Sequence, residues 1–237
     1  MGKNKLARWN ELETFNNVFQ PEIDAVAGKD HAAKGRWKNE IFRNMNPVVL
    51  ELGCGKGEYT VGLATRFPGN NYIGVDIKGA RMWRGAKTAN EHNLPNVAFL
   101  RTRIEFISSF FEADEVDEIW ITFPDPHAGL RNSNKRLTSP AFLNRYRLFL
   151  KDKGLVHLKT DNTELYNYSK KVVLRNDLEL VNSTTDLYAE NLSDDILSIK
   201  THYEKIFTKA GLKIHYLSFR LDKEIILEDA PFKTKGT

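Results

Sequence analysis

The sequence predicts an α/β fold in which a doubly wound, mostly parallel sheet is covered by helices on both faces. Short apolar segments alternate with amphipathic segments along most of the chain, as expected when parallel strands are joined by helices. The first apolar segment, Val48–Leu52, is followed directly by glycines at positions 53, 55 and 57. Glycine permits a sharp turn out of a strand and a close approach of a ligand to the backbone. These observations predict a Rossmann-like sheet with a ligand site after its first strand.

The individual elements follow from the apolar patterns and from the turn residues between them. After the first strand we predict a helix at 58–67, which Pro68 and Gly69 end, and a second strand at 72–76. The remaining predicted helices are 78–92, 140–150 and 163–174. The remaining predicted strands are 97–100, 118–123, 154–159, 178–182 and 212–221.

Length and composition indicate a single globular domain with short appendages. The chain has 237 residues, of which 41% are hydrophobic and 28% are charged, so it can bury a sizeable core. We predict a partly ordered N-terminal extension at 1–46, a ligand-binding domain at 47–222 and a C-terminal tail at 223–237.

Composition also argues against several classes of protein. No apolar run reaches the length of a membrane span, and no signal-peptide core is found near the N-terminus. The single cysteine, Cys54, excludes an internal disulfide, and no cluster of His, Cys and Asp has the spacing of metal ligands. The sequence therefore predicts a cytoplasmic protein without a bound metal, and no membrane or protein partner is evident from it.

The charges are unevenly distributed, although the formal net charge is only +4. Residues 104–125 contain seven acids and no Lys or Arg, whereas residues 127–153 contain seven basic residues and one acid. Such segregation predicts a positive face that binds a polyanion; chance clustering on a solvated helix and loop is the alternative. The basic residues are Arg131, Lys135, Arg136, Arg145, Arg147, Lys151 and Lys153.

Carboxylates on either side of the glycines indicate the kind of nucleotide ligand. A pyrophosphate site favours the spacing G-x-G-x-x-G, but this chain has G-x-G-x-G and carries Glu51 two residues before the first glycine. Glu51 would repel a pyrophosphate and attract an ammonium or sulfonium group. Asp76 lies about 20 residues past the glycines, where a carboxylate can accept hydrogen bonds from both ribose hydroxyls. S-adenosylmethionine (SAM) has all these groups and is the predicted cofactor; an ordinary strand–helix turn is the alternative.

Two further acids follow later strands, at the edge of the sheet where ligands bind. Asp125 follows the fourth predicted strand and is bracketed by Pro124 and Pro126, which stiffen the backbone and fix the direction of the carboxylate. Asp161 follows the fifth predicted strand. Each acid also has a purely structural interpretation, as a capping group in a turn for Asp125 and as the N-cap of the next helix for Asp161.

Five motifs occur in one order within residues 48–221. They are E-L-G-C-G-K-G at 51–57, F-P-D-P at 123–126, K-R-L at 135–137, L-K-T-D-N at 158–162 and T-H-Y-E at 201–204. This combination resembles the bacterial tRNA (guanine-N7)-methyltransferases, whereas generic SAM-binding folds share only the first motif. The resemblance implies a methyltransferase fold, SAM as cofactor, tRNA as partner, and methylation of N7 of guanine 46 in the variable loop of tRNA.

The resemblance also implies roles for individual residues, with Asp125 at the catalytic position. The implied cofactor-binding residues are Glu51, Asp76, Arg103 and Asp125. With the glycines of the loop, Gly53, Gly55 and Gly57, they form the predicted cofactor site. The implied substrate-binding residues are Asp161, Thr201, His202, Tyr203 and Glu204. Among these, the carboxylates of Asp161 and Glu204 are suited to accept hydrogen bonds from the N1–H and amino edge of guanine.

The chain departs from the family pattern at two positions. The family usually has an acid where this chain has Arg103, and arginine offers no acceptor to the adenine amino group. We expect the neighbouring backbone or Glu105 to accept that hydrogen bond instead. A substrate-contacting lysine of the family is replaced by Gly129, and we expect Arg131 or Lys135 to bind substrate in its place.

Two other functions remain open at this point. A SAM enzyme that methylates an exocyclic amine of a nucleic acid, or a small molecule, would also place an acid–proline turn after the fourth strand. Such enzymes tend to follow the turn with a second proline and an aromatic residue, whereas Pro126 is followed by His127. A non-catalytic RNA-binding protein with a SAM fold is the other alternative. Arg103 favours it, and the intact Glu51, Asp76 and Asp125 argue against it.

Overall fold

The chain forms a sheet with helices on its two faces in a computed structural model that describes residues 3–189 and 196–229. The strands are β1 (Val18–Phe19), β2 (Val48–Leu52), β3 (Asn71–Asp76), β4 (Val97–Arg101), β5 (Val116–Thr122), β6 (Leu150–Thr160), β7 (Leu180–Thr184) and β8 (His215–Leu221). The α-helices are α1 (Lys3–Leu12), α2 (Glu58–Arg66), α3 (Gly79–Glu91), α4 (Pro140–Tyr146), α5 (Thr163–Arg175) and α6 (His202–Lys209). None of the helices in these ranges is both long and apolar enough to cross a lipid bilayer.

The strands are joined in the order β1-β4-β3-β2-β5-β6-β8-β7. Every neighbouring pair from β1 to β6 is parallel, and β8 is antiparallel to both β6 and β7. The chain order reverses between β2 and β5, and a sheet of this kind binds ligands outside the carboxyl ends of the strands at such a point. The predicted fold class, a doubly wound and mostly parallel α/β sheet, is confirmed.

The two faces of the sheet carry separate hydrophobic cores. Successive side chains of a strand point to opposite faces, so Leu50 and Leu52 pack on the side of α4 and α5, and Val49 packs on the side of α2 and α3. Glu51 follows the alternation to the second face and is buried there. The position of Glu51 in the strand therefore directs an acid into the protein interior.

Most predicted bounds differ from the observed ones by one to three residues, and the two largest differences share a cause. The helix predicted at 140–150 ends at Tyr146, and the strand predicted at 154–159 begins at Leu150. Leu150 already pairs with Val116 in the sheet, so the chain must leave the helix earlier than its apolar pattern indicates.

The predicted N-terminal extension, 1–46, contributes directly to the sheet and its core. β1 pairs with β4 at the edge of the sheet, and α1 lies against α3. Trp37 is fully buried, and its Nε1 donates a hydrogen bond of 2.8 Å to the carbonyl of Phe110. The division into extension, domain and tail stays a prediction, and its end segments 1–2 and 230–237 lie outside the described residues.

Candidate active site

A cavity of about 660 Å³ opens at the carboxyl ends of the parallel strands. Its lining includes the loops that follow five successive strands: Gly53 follows β2, Ile77 follows β3, Thr102 follows β4, Phe123 follows β5 and Asp161 follows β6. A volume of several hundred Å³ is usual for a site that binds a small molecule or cofactor. The cavity therefore lies where the topology places a ligand.

The glycine loop after β2 forms one wall of the cavity through Gly53 and Gly55. Gly55 has a φ of 56°, which favours glycine, and no atom lies within 4 Å of the place where its Cβ would be. Gly57 has a φ of 69°, but a Cβ there would overlap the ring of Phe99 and approach Gly85 to 3.1 Å. Gly57 does not line the cavity, and packing between α2 and α3 explains its presence.

Glu51 lies below the glycine loop and does not line the cavity. One carboxylate oxygen accepts hydrogen bonds from the Thr60 hydroxyl and from the Thr60 N–H at 2.8 Å, and the other accepts from the Thr122 hydroxyl at 2.6 Å. Burial raises the pKa of Glu51 to about 7, although these hydrogen bonds oppose the shift. Both oxygens are used inside the protein, so the charge of Glu51 acts on the cavity from behind the loop.

Asp76, at the end of β3, lines the cavity and also holds the glycine loop. Its carboxylate accepts hydrogen bonds from the N–H of Gly55 at 2.9 Å and from the N–H of Lys78 at 2.7 Å. An ionised carboxylate has about four lone-pair sites. Each oxygen of Asp76 therefore keeps the capacity to accept a further hydrogen bond from a ligand.

Arg103 and Glu105 line the cavity beyond the end of β4. Nη2 of Arg103 donates to Oε1 of Glu105 over 3.1 Å, and both side chains are about half exposed. Burial alone would raise the pKa of Glu105, but the hydrogen bond and charge of Arg103 hold it below its ordinary value. Glu105 thus provides the hydrogen-bond acceptor that Arg103 lacks, and Arg103 helps to keep the Glu105 carboxylate ionised.

Asp125 is held on an exposed loop between two residues with left-handed backbone. Phe123 and His127 have φ values of 48° and 43°, and this conformation costs a non-glycine residue about 1–3 kcal/mol. Pro124 and Pro126, between them, fix two further φ angles. Asp125 lines the cavity, and among the described residues its carboxylate accepts a single hydrogen bond, from the N–H of His127 at 3.2 Å. The carboxylate is therefore fixed in place and available to a ligand.

Arg136 fastens the loop of Asp125 from the protein interior. Its side chain is 2% exposed, pairs with Glu164 at 2.6 Å and lies over the ring of Tyr168 at 4.5 Å. From this position it donates hydrogen bonds to the carbonyls of Pro126 at 3.1 Å and His127 at 3.3 Å. The sequence places Arg136 within the basic stretch predicted to form a surface face, whereas its side chain is buried; its position in the K-R-L motif is the signal in the sequence that points to a special role.

Asp161 faces the cavity without an internal role. The N-cap of α5 is its neighbour Asn162, whose side chain accepts a hydrogen bond of 2.8 Å from the N–H of Leu165. The capping interpretation considered for Asp161 therefore applies to Asn162. No described residue donates a hydrogen bond to the Asp161 side chain, which leaves both oxygens to a ligand.

Helix α6 supplies an aromatic wall through Tyr203 and Phe207, which both line the cavity. Their rings are stacked with centroids 6.3 Å apart, and Phe207 lies 5.8 Å from the ring of Phe123 on the Asp125 loop. Tyr203 is 37% exposed. An aromatic surface of this kind can stack on the flat face of a nucleic-acid base.

The first turn of α6 is tied to the structure around it. Thr201 lines the cavity and caps the helix, since its hydroxyl accepts a hydrogen bond of 3.1 Å from the N–H of Glu204. The N–H of His202 donates to Glu58 at 2.6 Å. The His202 side chain is exposed and lies outside the lining, so Thr201 and Tyr203 are the T-H-Y-E residues that face the cavity.

Glu204 is fully buried and does not reach the cavity. One of its oxygens lies 2.9 Å from Nζ of Lys159 and accepts from the Tyr188 hydroxyl at 2.6 Å, and the other accepts from Lys159 at 3.0 Å. Burial lowers the pKa of Lys159, and Glu204 opposes that shift. The predicted contact of Glu204 with guanine does not fit this position, because the side chain is fully buried and does not line the cavity.

The basic stretch at 127–153 does not form one continuous face, which corrects the prediction. Arg131 and Lys135 are exposed on the turn before α4, and Lys135 lines the cavity whereas Arg131 does not. Lys151 pairs with Asp117 at the start of β6. Leu150 pairs with Val116 and Lys159 with Thr122 of β5, so Lys151 lies roughly 20 Å from the cavity end of the sheet at about 3.3 Å per residue. Strand β6 therefore carries the later basic residues away from the site.

Cys54 lies in the glycine loop and is 6% exposed. Burial raises the pKa of its thiol well above the ordinary value, and the nearby carboxylates of Glu51 and Asp76 add to the effect. A thiol in such a setting stays protonated and is a poor nucleophile or metal ligand. Over residues 3–189 and 196–229, no group of three or more His, Cys, Asp or Glu side chains is arranged to hold a metal ion.

Sequence comparison finds close similarity to known proteins along most of the chain. A family model described as "Putative methyltransferase" matches residues 45–217. A tRNA (guanine-N(7)-)-methyltransferase of Bacteroides thetaiotaomicron is 49% identical over 229 residues, which cover 97% of this chain and 90% of that protein. A protein of the same description from Christiangramia forsetii is 46% identical, over 92% of this chain and 98% of that protein.

Structural comparison finds the same architecture in more distant proteins. The 16S rRNA methyltransferase KamB superposes with a TM-score of 0.60 at 15% identity, over 78% of this chain and 92% of that one. The 16S rRNA (adenine(1408)-N(1))-methyltransferase from Catenulisporales acidiphilia gives a TM-score of 0.56 at 16% identity, over 77% of this chain and 91% of that one. At these identities the likeness shows the fold alone.

Proposed function

This chain belongs to the family of the tRNA (guanine-N(7)-)-methyltransferases, and we propose that it transfers the methyl group of SAM to N7 of guanine 46 in the variable loop of tRNA, in the cytoplasm. The observation that carries the proposal is a cavity with two chemically different sides. The glycine loop and Asp76 form one side, which suits a nucleoside cofactor. Asp125, Asp161 and the aromatic wall of α6 form the other, which suits a base.

The cofactor side fits SAM in shape and charge. The open space beside Gly55 gives the cofactor room to approach the backbone closely, and Asp76 has acceptor capacity for ribose hydroxyls. Glu105, held by Arg103, offers an acceptor for the adenine amino group. Glu51 places negative charge behind the loop, where it favours a cationic cofactor.

The chemistry requires alignment more than proton transfer. When bound, SAM supplies a methyl group activated by a positively charged sulfur. Guanine N7 is an unprotonated acceptor, so no residue of the chain has to remove a proton from it. Holding two reactants in line can contribute about 7–11 kcal/mol. The product base is cationic, and the fixed carboxylate of Asp125 stabilises the developing charge.

The base side fits a guanine from RNA. No donor among the described residues uses the two Asp161 oxygens, which can accept from the N1–H and amino group of guanine. Tyr203 offers its ring to the face of the base. Arg131 and Lys135 are suited to bind tRNA phosphates next to the cavity. Thr201 borders the same space, whereas His202, Glu204 and Gly57 support the site from outside it.

A single assay tests the proposal. Purified protein is incubated with labelled SAM and bulk tRNA that lacks 7-methylguanosine, and the labelled nucleoside is identified after digestion. We expect 7-methylguanosine from a tRNA with guanine at position 46 and none from the same tRNA with adenine there. Methylation of an exocyclic amine would favour the first alternative function, and tRNA binding without any methylation would favour the non-catalytic one.

A further inference from the structure

Lys159 is a fully buried cation with no part in the chemistry described above. Its side chain is 0% exposed, and Nζ donates hydrogen bonds to the carbonyls of Leu197 at 3.0 Å and Ile199 at 3.3 Å and to Glu204 at 3.0 Å. Removing a charged group from water is costly unless every donor is satisfied. The three acceptors meet that need, and all three come from one short stretch of chain, 197–204.

That stretch leads into α6 and forms its first turn. Glu204 is the one buried residue among the eight of α6, so the helix has no apolar side chain that is fully inserted into the core. Lys159 lies on β6, two residues before Asp161. The buried pair thus joins the strand that presents Asp161 to the helix that presents Tyr203 and Phe207.

We infer that Lys159 is a positioning residue for the base-binding side of the cavity and acts through α6. With Glu204 it holds the helix where Tyr203 and Phe207 border the same space as Asp161. The inference rests on the proposed function, since it assigns Tyr203 to the target base. It also gives Glu204 a role that its burial allows, as the partner of Lys159 rather than as a reader of guanine.

Stability and positioning can be separated by replacing both partners. Removing one member of a buried ion pair leaves the other charge uncompensated, whereas replacing both with apolar residues is often tolerated. Lys159→Met with Glu204→Leu therefore restores an apolar contact, but it supplies no donor to the carbonyls of Leu197 and Ile199. The helix remains attached and loses its fixed position.

The first experiment compares the two single variants, the double variant and Lys38→Met. Lys38 pairs with Asp117 at the other end of the strands, with both side chains 17% exposed, so it controls for loss of an ion pair away from the cavity. The readouts are Tm, SAM affinity by calorimetry, tRNA affinity without SAM, and kcat and KM for tRNA.

We expect the double variant to regain part of the Tm lost by each single variant, since it also loses the hydrogen bonds to the carbonyls of Leu197 and Ile199 and from the Tyr188 hydroxyl, and to bind SAM normally. Its kcat/KM for tRNA should still fall about tenfold or more, since a misplacement of about 1 Å can cost on the order of 100-fold. Lys38→Met should lower Tm and leave SAM affinity, tRNA affinity and kcat/KM unchanged. Recovery of both Tm and kcat/KM in the double variant would overturn the inference. Should the double variant not fold, Glu204→Gln is compared with Glu204→Leu. The glutamine keeps an acceptor for Lys159 and should retain most of kcat/KM for tRNA, and an equal loss in both variants would overturn the inference.

The second experiment tests whether Lys159 acts through the aromatic wall that Tyr203 and Phe207 form. In the unmodified protein, Tyr203→Ala should lower kcat/KM for tRNA about 5- to 150-fold, the range for loss of one base–aromatic stack. In the Lys159→Met/Glu204→Leu background the same change should have little further effect, because linked residues are not additive. An undiminished effect in that background would contradict the inference. Absence of 7-methylguanosine with the unmodified protein would instead refute the proposed function.

Discussion

Replacing Glu51 with Gln should stabilise the ligand-free protein at pH 8 and change its stability little at pH 4. The folded protein raises the pKa of Glu51 to about 7 from the ordinary value of 4.5, so the folded state binds the proton more tightly than the unfolded chain. Its stabilising effect is complete below pH 4.5 and is lost as the pH rises through 7. At about 1.4 kcal/mol per pH unit, the loss reaches roughly 3 kcal/mol at pH 8.

The glutamine side chain suits the hydrogen bonds that the carboxylate makes. Its carbonyl oxygen can accept from the N–H of Thr60, and its amide can donate to the hydroxyl of Thr122, which can act as an acceptor. A neutral glutamine therefore removes the cost of burying the charge and keeps Thr60 and Thr122 hydrogen-bonded.

Urea unfolding of both proteins between pH 4 and pH 8 measures the effect, and Glu179→Gln, at an exposed acid that is 64% accessible, is the control. We expect the gain in unfolding free energy to appear between pH 4.5 and pH 7 for Glu51→Gln alone. A gain that is absent, or the same at every pH, would refute the assigned protonation. The variant should also bind SAM more weakly at pH 8, because the negative charge behind the glycine loop is lost.

Three other predictions concern the cavity itself. Asp76→Ala should weaken SAM binding by about 1.5–3 kcal/mol in calorimetry; unchanged affinity in a folded protein would contradict its role. Asp125→Asn should slow single-turnover methylation strongly while SAM and tRNA still bind; a near-normal rate for Asn with a low rate for Ala would show that Asp125 only grips guanine as an acceptor. Arg131→Ala with Lys135→Ala should flatten the salt dependence of tRNA affinity, by about 0.7–0.9 in the log–log slope per lost phosphate contact; an unchanged slope would place the RNA elsewhere.

The main features of the fold were predictable because they depend on local patterns. Apolar runs of strand length, helix breakers and the alternate glycines indicate the parallel sheet without any knowledge of distant contacts. The acids at Asp76, Asp125 and Asp161 were predictable for the same reason, since each stands at or after the end of a strand on the ligand-binding edge, and each lines the cavity.

The roles of Glu51 and Glu204 were not predictable, because they depend on residues far away in sequence. A motif gives the place of an acid in a strand or helix, but the direction of its side chain depends on what packs beside it. Thr122 lies 71 residues from Glu51, and Lys159 lies 45 residues from Glu204. The basic stretch at 127–153 did not predict one positive face for a related reason. Strand β6 separates its basic residues in space.

The short strand β1 has a consequence for how the protein behaves at high concentration. It covers the outer side of β4, where the N–H of Phe99 donates to the carbonyl of Asn17 at 2.8 Å. An uncovered edge strand offers a row of unpaired backbone groups to another molecule and promotes aggregation. A version of the chain that starts after residue 20 would expose β4 in this way. We therefore expect N-terminal truncation to cause aggregation at protein concentrations where the catalytic activity per folded molecule is still unchanged.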